Sequence, residues 1–179
     1  MNWVSEKLPT RKEALVFLKE HDCSDKVINH CTAVAGLALK TAIVIQGRGI
    51  LVDSHLVEIG ALLHDIGRSK THNIDHAIIG ARIAKQAALP ESIISIIKRH
   101  VGAGITPDEA KKLGWKKDIY MPITLEEKIV TYADNLIEKS KPAPVEIIIE
   151  KLIKEEKIEA ANRVKKLDEE INNLIGIKT

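Results

Sequence analysis

Aromatic residues are scarce in this chain: one Phe, two Tyr and two Trp among 179 residues, 3% of the total. Few rings are left to stack bases, which disfavours a polynucleotide-binding module. Cysteine is scarce as well. Cys23 and Cys31 stand eight residues apart and form no CxxC pair, a pattern that fits buried, reduced thiols better than a disulfide. An excess of one charge is also lacking. The 27 Lys and Arg nearly balance the 25 Asp and Glu, for a net charge of +2, and no block of like charge marks a nucleic-acid arm. Long apolar runs are missing too: Lys40 interrupts the best candidate, Val34 to Ile45, short of the roughly 18 residues a membrane crossing needs. The segment from Met1 to Pro9 has no basic stretch followed by an apolar one, so no secretory signal and a cytoplasmic protein are expected.

What is present is helical patterning. Thr10 with Glu13, Thr106 with Pro107 and Glu109, and Thr124 with Glu127 read as helix starts, each a capping residue followed by an acidic partner. Apolar residues recur every three or four positions through Ala14–Leu18, Val27–Ile45, Leu56–Leu63, Ile78–Ala87, Ile93–Ile97, Leu125–Ile137 and Val145–Ile153. The breaks at Gly47–Gly49, Gly67–Asn73, Pro90, Gly102–Gly104 and Pro142–Pro144 are short. No run alternates as a strand would. The expectation is all-α: a single-domain helical bundle over 1–179 with its core in 24–140. Helices over 142–175, where charged residues crowd an amphipathic pattern, form a peripheral pair that covers the core or contacts a second copy in a homodimer.

Polar residues sit on faces that should point inward. His30 shares a helical face with Val27, Val34 and Leu37; His76 with Ile79 and Ile83; His100 with Ile93 and Ile97; Asp134 with Val130 and Ile137. Burying such groups is costly unless they are paired or coordinate a metal, and a divalent cation would satisfy them together. His64 and Asp65 end an apolar helix in Ala61-Leu-Leu-His-Asp-Ile-Gly67, where Gly67 is expected to let the backbone turn away. Neighbours on a helix diverge by about 100°, so both bind one ion only near the helix end, or else Asp65 bridges two. His and Asp donors together suit Mn, Fe, Co, Ni or Zn.

The order His30, then His64-Asp65-Ile66-Gly67, then Asp134 within Val130-Thr-Tyr-Ala-Asp-Asn-Leu136 resembles the H…HD…D signature of the HD superfamily in its HDIG form, over roughly residues 24–140. The whole sequence looks most like an archaeal group of HDIG proteins. The resemblance implies a helical bundle and a divalent metal at His30, His64, Asp65 and Asp134. Its members hydrolyse phosphomonoesters, nucleotides or cyclic nucleotides. His76 and His100 resemble the two extra histidines of the dinuclear branch, which implies a second ion, with His72 as an alternative to His76. Val-Gly-Ala-Gly104 after His100 departs from the second histidine and GYP motif of the cyclic-di-GMP phosphodiesterases.

These readings converge on hydrolysis of a small phosphate ester by a metal-bound hydroxide, with Asp65 as the catalytic carboxylate that coordinates and orients the centre. Arg68, Lys70 and Arg99 flank the ligands and are candidates for holding the substrate phosphate. Two alternatives use the same donors: a di-iron oxygenase, and a non-catalytic protein whose metal fixes the fold. His21 and His55 read as structural or solvated.

Overall fold

Thr10, Thr106 and Thr124 start helices as their sequence context predicts. In the computed structural model, which describes residues 7–177, each threonine side chain accepts the backbone N–H of its glutamate and each glutamate reaches back to the threonine N–H. These boxes begin α1 (Arg11–Glu20), α6 (Pro107–Lys112) and α7 (Leu125–Asn135). Ser24 and Asp53 cap α2 (Asp25–Gly47) and α3 (Ser54–Leu63) in the same way, without the acidic partner. A 3-10 turn, Ile66–Ser69, leads towards α4 (His76–Gln86), and Pro90 precedes α5 (Glu91–Arg99). The chain ends in α8 (Val145–Lys154) and α9 (Ile158–Ile175). Of the N-terminal segment considered above, Met1 to Glu6 lie outside the described residues.

α2 has the length and apolar composition of a membrane-crossing helix, yet it runs through the middle of the bundle against α3, α7 and α9. Its Cys31, Val34, Ala35, Ala38, Ala42 and Ile45 are fully enclosed. The core they join extends from Ala14 of α1 to Ile171 of α9. Fully buried Ile and Leu side chains such as Leu18, Ile59, Leu62, Ile97 and Ile129 each contribute about 1.5–3 kcal/mol. Both cysteines are free and buried, and burial pushes the Cys23 thiol up to about 11, so it stays protonated at neutral pH.

Two local features differ from the sequence reading. α7 stops at Asn135, and Ile137 begins a two-residue strand, β1 (Ile137–Glu138), paired antiparallel with β2 (Lys141–Pro142). Its two-residue turn holds Lys139 and Ser140 at φ 49° and 63°, left-handed values that side chains disfavour. Gly67 does not turn the chain by a special backbone conformation, since its φ is not positive. Its hydrogen is needed instead for contact: a Cβ there would overlap the carbonyl oxygen of His76. Of the C-terminal pair, α8 has no fully buried residue and packs chiefly against α9, and α9 covers the core with Ala161, Val164, Leu167 and Ile171.

Ser140→Gly should relieve the hairpin and stabilise the fold by about 1 kcal/mol, a rise in Tm of about 2–4 °C. Gly67→Ala should cost about 2–3 kcal/mol. Thermal melts of both variants check these signs; an unchanged Gly67→Ala melt would contradict the close approach.

Candidate metal centre

The end of a helix leaves carbonyls without intrahelical partners, and this fold uses them to orient histidines. His64 follows α3 and its Nδ1 lies 2.7 Å from the Ala61 carbonyl oxygen; His100 follows α5 with Nδ1 2.7 Å from that of Ile97. His76, the first residue of α4, repeats the arrangement with Asn73 at 2.7 Å. A carbonyl only accepts, so each Nδ1 carries the hydrogen and each Nε2 is left to bind a proton or a cation.

Asp65 stands between two groups of these nitrogens. Its Oδ1 faces His76 Nε2 at 3.1 Å and His100 Nε2 at 3.5 Å. Its Oδ2 faces His30 Nε2 and His64 Nε2, each at 3.8 Å. Asp134, in the last turn of α7, closes the second group: its Oδ1 is 2.9 Å from His30 Nε2 and 3.4 Å from His64 Nε2. The donor atoms of His30, His64 and Asp65, of His64, His100 and Asp134, and of Asp65, His76 and His100 lie within 4.8 Å of one another in each set.

These residues fit a divalent cation on two grounds. The buried His64 Nε2 and Asp65 Oδ1 have no hydrogen-bond partner, a costly state for polar atoms that nothing coordinates. In addition, His76 Nε2 and His100 Nε2 face each other at 3.0 Å, where two bare lone pairs repel. Two donors about 2.1 Å from one ion and at a right angle to each other lie about 3.0 Å apart.

Charge points the same way. Burial opposes ionisation of Asp65 and Asp134, but the charge of the His64 ring beside them, with the imidazoles of His100 and His76 around Asp65 and of His30 beside Asp134, holds both carboxyls well below their ordinary range. Burial likewise opposes a cationic His64, yet Asp65 and Asp134 draw its pKa well above the usual value. His100 moves down, chiefly through burial. One enclosed carboxylate, Asp65, and one partly buried, Asp134, thus demand positive charge, which protons supply when a metal does not.

A cleft of about 530 Å³ opens on this cluster, with His30, His76, His100 and Asp134 on its floor. His64 and Asp65 lie behind that surface, almost wholly enclosed. Arg68 lines the cleft and donates from Nε to Asp65 Oδ2 at 2.6 Å. His72 is exposed at the rim while His76 is in the cluster. The structure does not bring the other two expected substrate cations to the cleft. Lys70 is exposed outside its lining. Arg99 turns away into an ion pair with buried Glu127 at 2.7 Å, which ties the end of α5 to the start of α7. Sequence reasoning missed Asn135, whose Nδ2 donates to the Gly102 carbonyl at 2.7 Å and steadies the loop after His100; its place beside Asp134 was the available signal. It also missed α8, which forms a whole wall of the cleft.

Residues 27–138 match the family model of the HD domain. The chain belongs to the HD domain family. Its likeness to the uncharacterized protein MJ0778 of the archaeon Methanocaldococcus jannaschii extends over 92% of this chain and 98% of that protein, at 45% identity. It is also 42% identical, over 94% of its length, to the tRNA (cytidine(56)-2'-O)-methyltransferase of Picrophilus torridus, but spans only 48% of that protein. The HD domain of the phosphodiesterase PgpH from L. monocytogenes, solved in complex with cyclic-di-AMP, shares the fold: TM-score 0.56, 19% identity, 93% of this chain and 98% of that one.

Elemental analysis of the purified HD protein should count about two divalent ions per chain, falling to about one in His100→Ala. An equal count in both would remove His100 from the ligands.

Proposed function

We propose that this HD protein is a metal-dependent phosphohydrolase acting on a small phosphate ester such as a nucleotide or cyclic nucleotide. The observation that carries the reading is Asp65, whose two oxygens face separate donor groups beneath an open cleft. His30, His64, Asp65 and Asp134 would hold one ion, and Asp65, His76 and His100 a second. Ions held there would lower the pKa of a water nucleophile and offset charge on the phosphoryl oxygens.

The chain's own residues do the rest. Asp65 fixes the spacing of the two donor groups, because both its oxygens belong to one rigid carboxylate. The enclosed His64 and the backbone-anchored His76 and His100 keep the back of the site dry and hold the donors in place, so little reorganisation accompanies the reaction. Arg68, at the cleft edge, can exchange Asp65 for a phosphoryl oxygen as its partner.

A second reading follows from the likeness to half of a tRNA methyltransferase: the ester belongs to an RNA. Among the described residues the cleft lining has no Phe, Tyr or Trp to stack bases, which favours the small substrate.

The test is phosphate release from a panel of mono-, cyclic and 2′,3′-cyclic nucleotides and a phosphorylated oligoribonucleotide, with manganese or cobalt. Asp65→Ala should lower kcat at least about a thousandfold while the circular dichroism of the helices is kept. Turnover by that variant at the parent rate would overturn the mechanism. Oxygen consumption with reduced iron, in place of phosphate release, would mark the oxygenase alternative.

A further inference from the structure

The cleft is far larger than one phosphoryl group, and its size falls in the range of small-molecule sites. Besides the histidines, its lining takes in α8, through Ile147, Ile148, Lys151 and Leu152, and the residues that flank it, Pro144 and Glu155. Ile148 and Leu152 pack partly on the core, whereas Ile147, also in the lining, is 45% exposed. An apolar side chain left open in a cleft is a contact for something apolar. The cations along this lining are unequal. Arg68 is committed to Asp65, and Lys157 to Glu155 at 2.7 Å. Lys151 lines the same cleft and makes no ion pair within 4.0 Å among the described residues, though its charge acts on Glu155 one turn along, whose closer partner is Lys157.

Resting on the phosphohydrolase reading, we propose that α8 recognises the unreacting part of the substrate, with Ile147 taking an apolar face and Lys151 a second anionic group. The substrate class is then a nucleotide-type ester with anionic groups at two separated positions, such as a nucleoside bisphosphate or a linear dinucleotide. The floor of the cleft takes the reacting phosphate and the helix wall takes the other. A Lys ammonium meets that group as a point charge and tolerates variation in its position.

The experiment compares adenosine 3′,5′-bisphosphate with adenosine 5′-monophosphate on the manganese-loaded full chain, by calorimetric binding and phosphate release. The parent should prefer the bisphosphate, and Lys151→Ala should cut that preference about tenfold, with Lys151→Arg restoring most of it. Ile147→Ala should weaken both ligands about threefold. Metal content and Tm should match the parent in all three variants, which separates recognition from a structural effect. An unchanged preference in Lys151→Ala, or a parent that binds neither nucleotide, overturns the assignment. Phosphate release from the panel with no Lys151 effect would sink this inference alone; tight, Lys151-dependent binding without phosphate release would sink the hydrolase reading instead.

Discussion

The structure depends on the burial of the Asp65 carboxylate among four imidazole rings. Enclosing a carboxylate costs several kcal/mol unless positive charge meets it, and Asp65 has Asp134 nearby to raise that cost. The surrounding helices are arranged to supply donors that can hold the balancing charge. α3 and α5 stop where they do so that His64 and His100 can use their last free carbonyls, and α4 begins at His76 pressed against Gly67. A shift of any one of these ends would move a nitrogen off its common focus.

Polar ties outside the cluster hold those ends in register. Arg99 and Glu127 bind the C-terminus of α5 to the N-terminus of α7, and Glu127 also accepts the Ile123 N–H at 2.6 Å. Because both side chains are mostly enclosed, this pair acts with little screening by solvent. Arg163 of α9 reaches Glu109 and the Gly104 carbonyl, so the loop after His100 is fastened from the C-terminal helices as well as by Asn135. The fold therefore couples its last helix to the second donor group. The likeness to half of an archaeal tRNA methyltransferase shows that closely similar sequence also occurs within a longer protein.

Much of this was legible in the sequence because it is local. Capping depends on residues three apart, and all three threonine-glutamate boxes formed as read. Helical periodicity placed His30, His76, His100 and Asp134 on inward faces, and the spacing of the HD motif matched a known ligand order. The charged residues near the ligands were less readable. Arg99 is adjacent to His100 in sequence, yet successive helical side chains point about 100° apart, and its partner Glu127 is 28 positions away. Gly67 was recognised as necessary for the wrong reason, since the contact that requires it comes from another helix.

The sequence by itself determined that the chain is helical, where most helices begin, and which histidines and aspartates face inward, since these follow from short-range hydrogen bonding and from apolar periodicity. Only the tertiary structure decided that Asp65 divides its oxygens between two donor groups, that His76 rather than His72 joins them, and that α8 walls the cleft. Those outcomes depend on how separate helices are set against one another, and that is fixed by side-chain packing over long sequence distances.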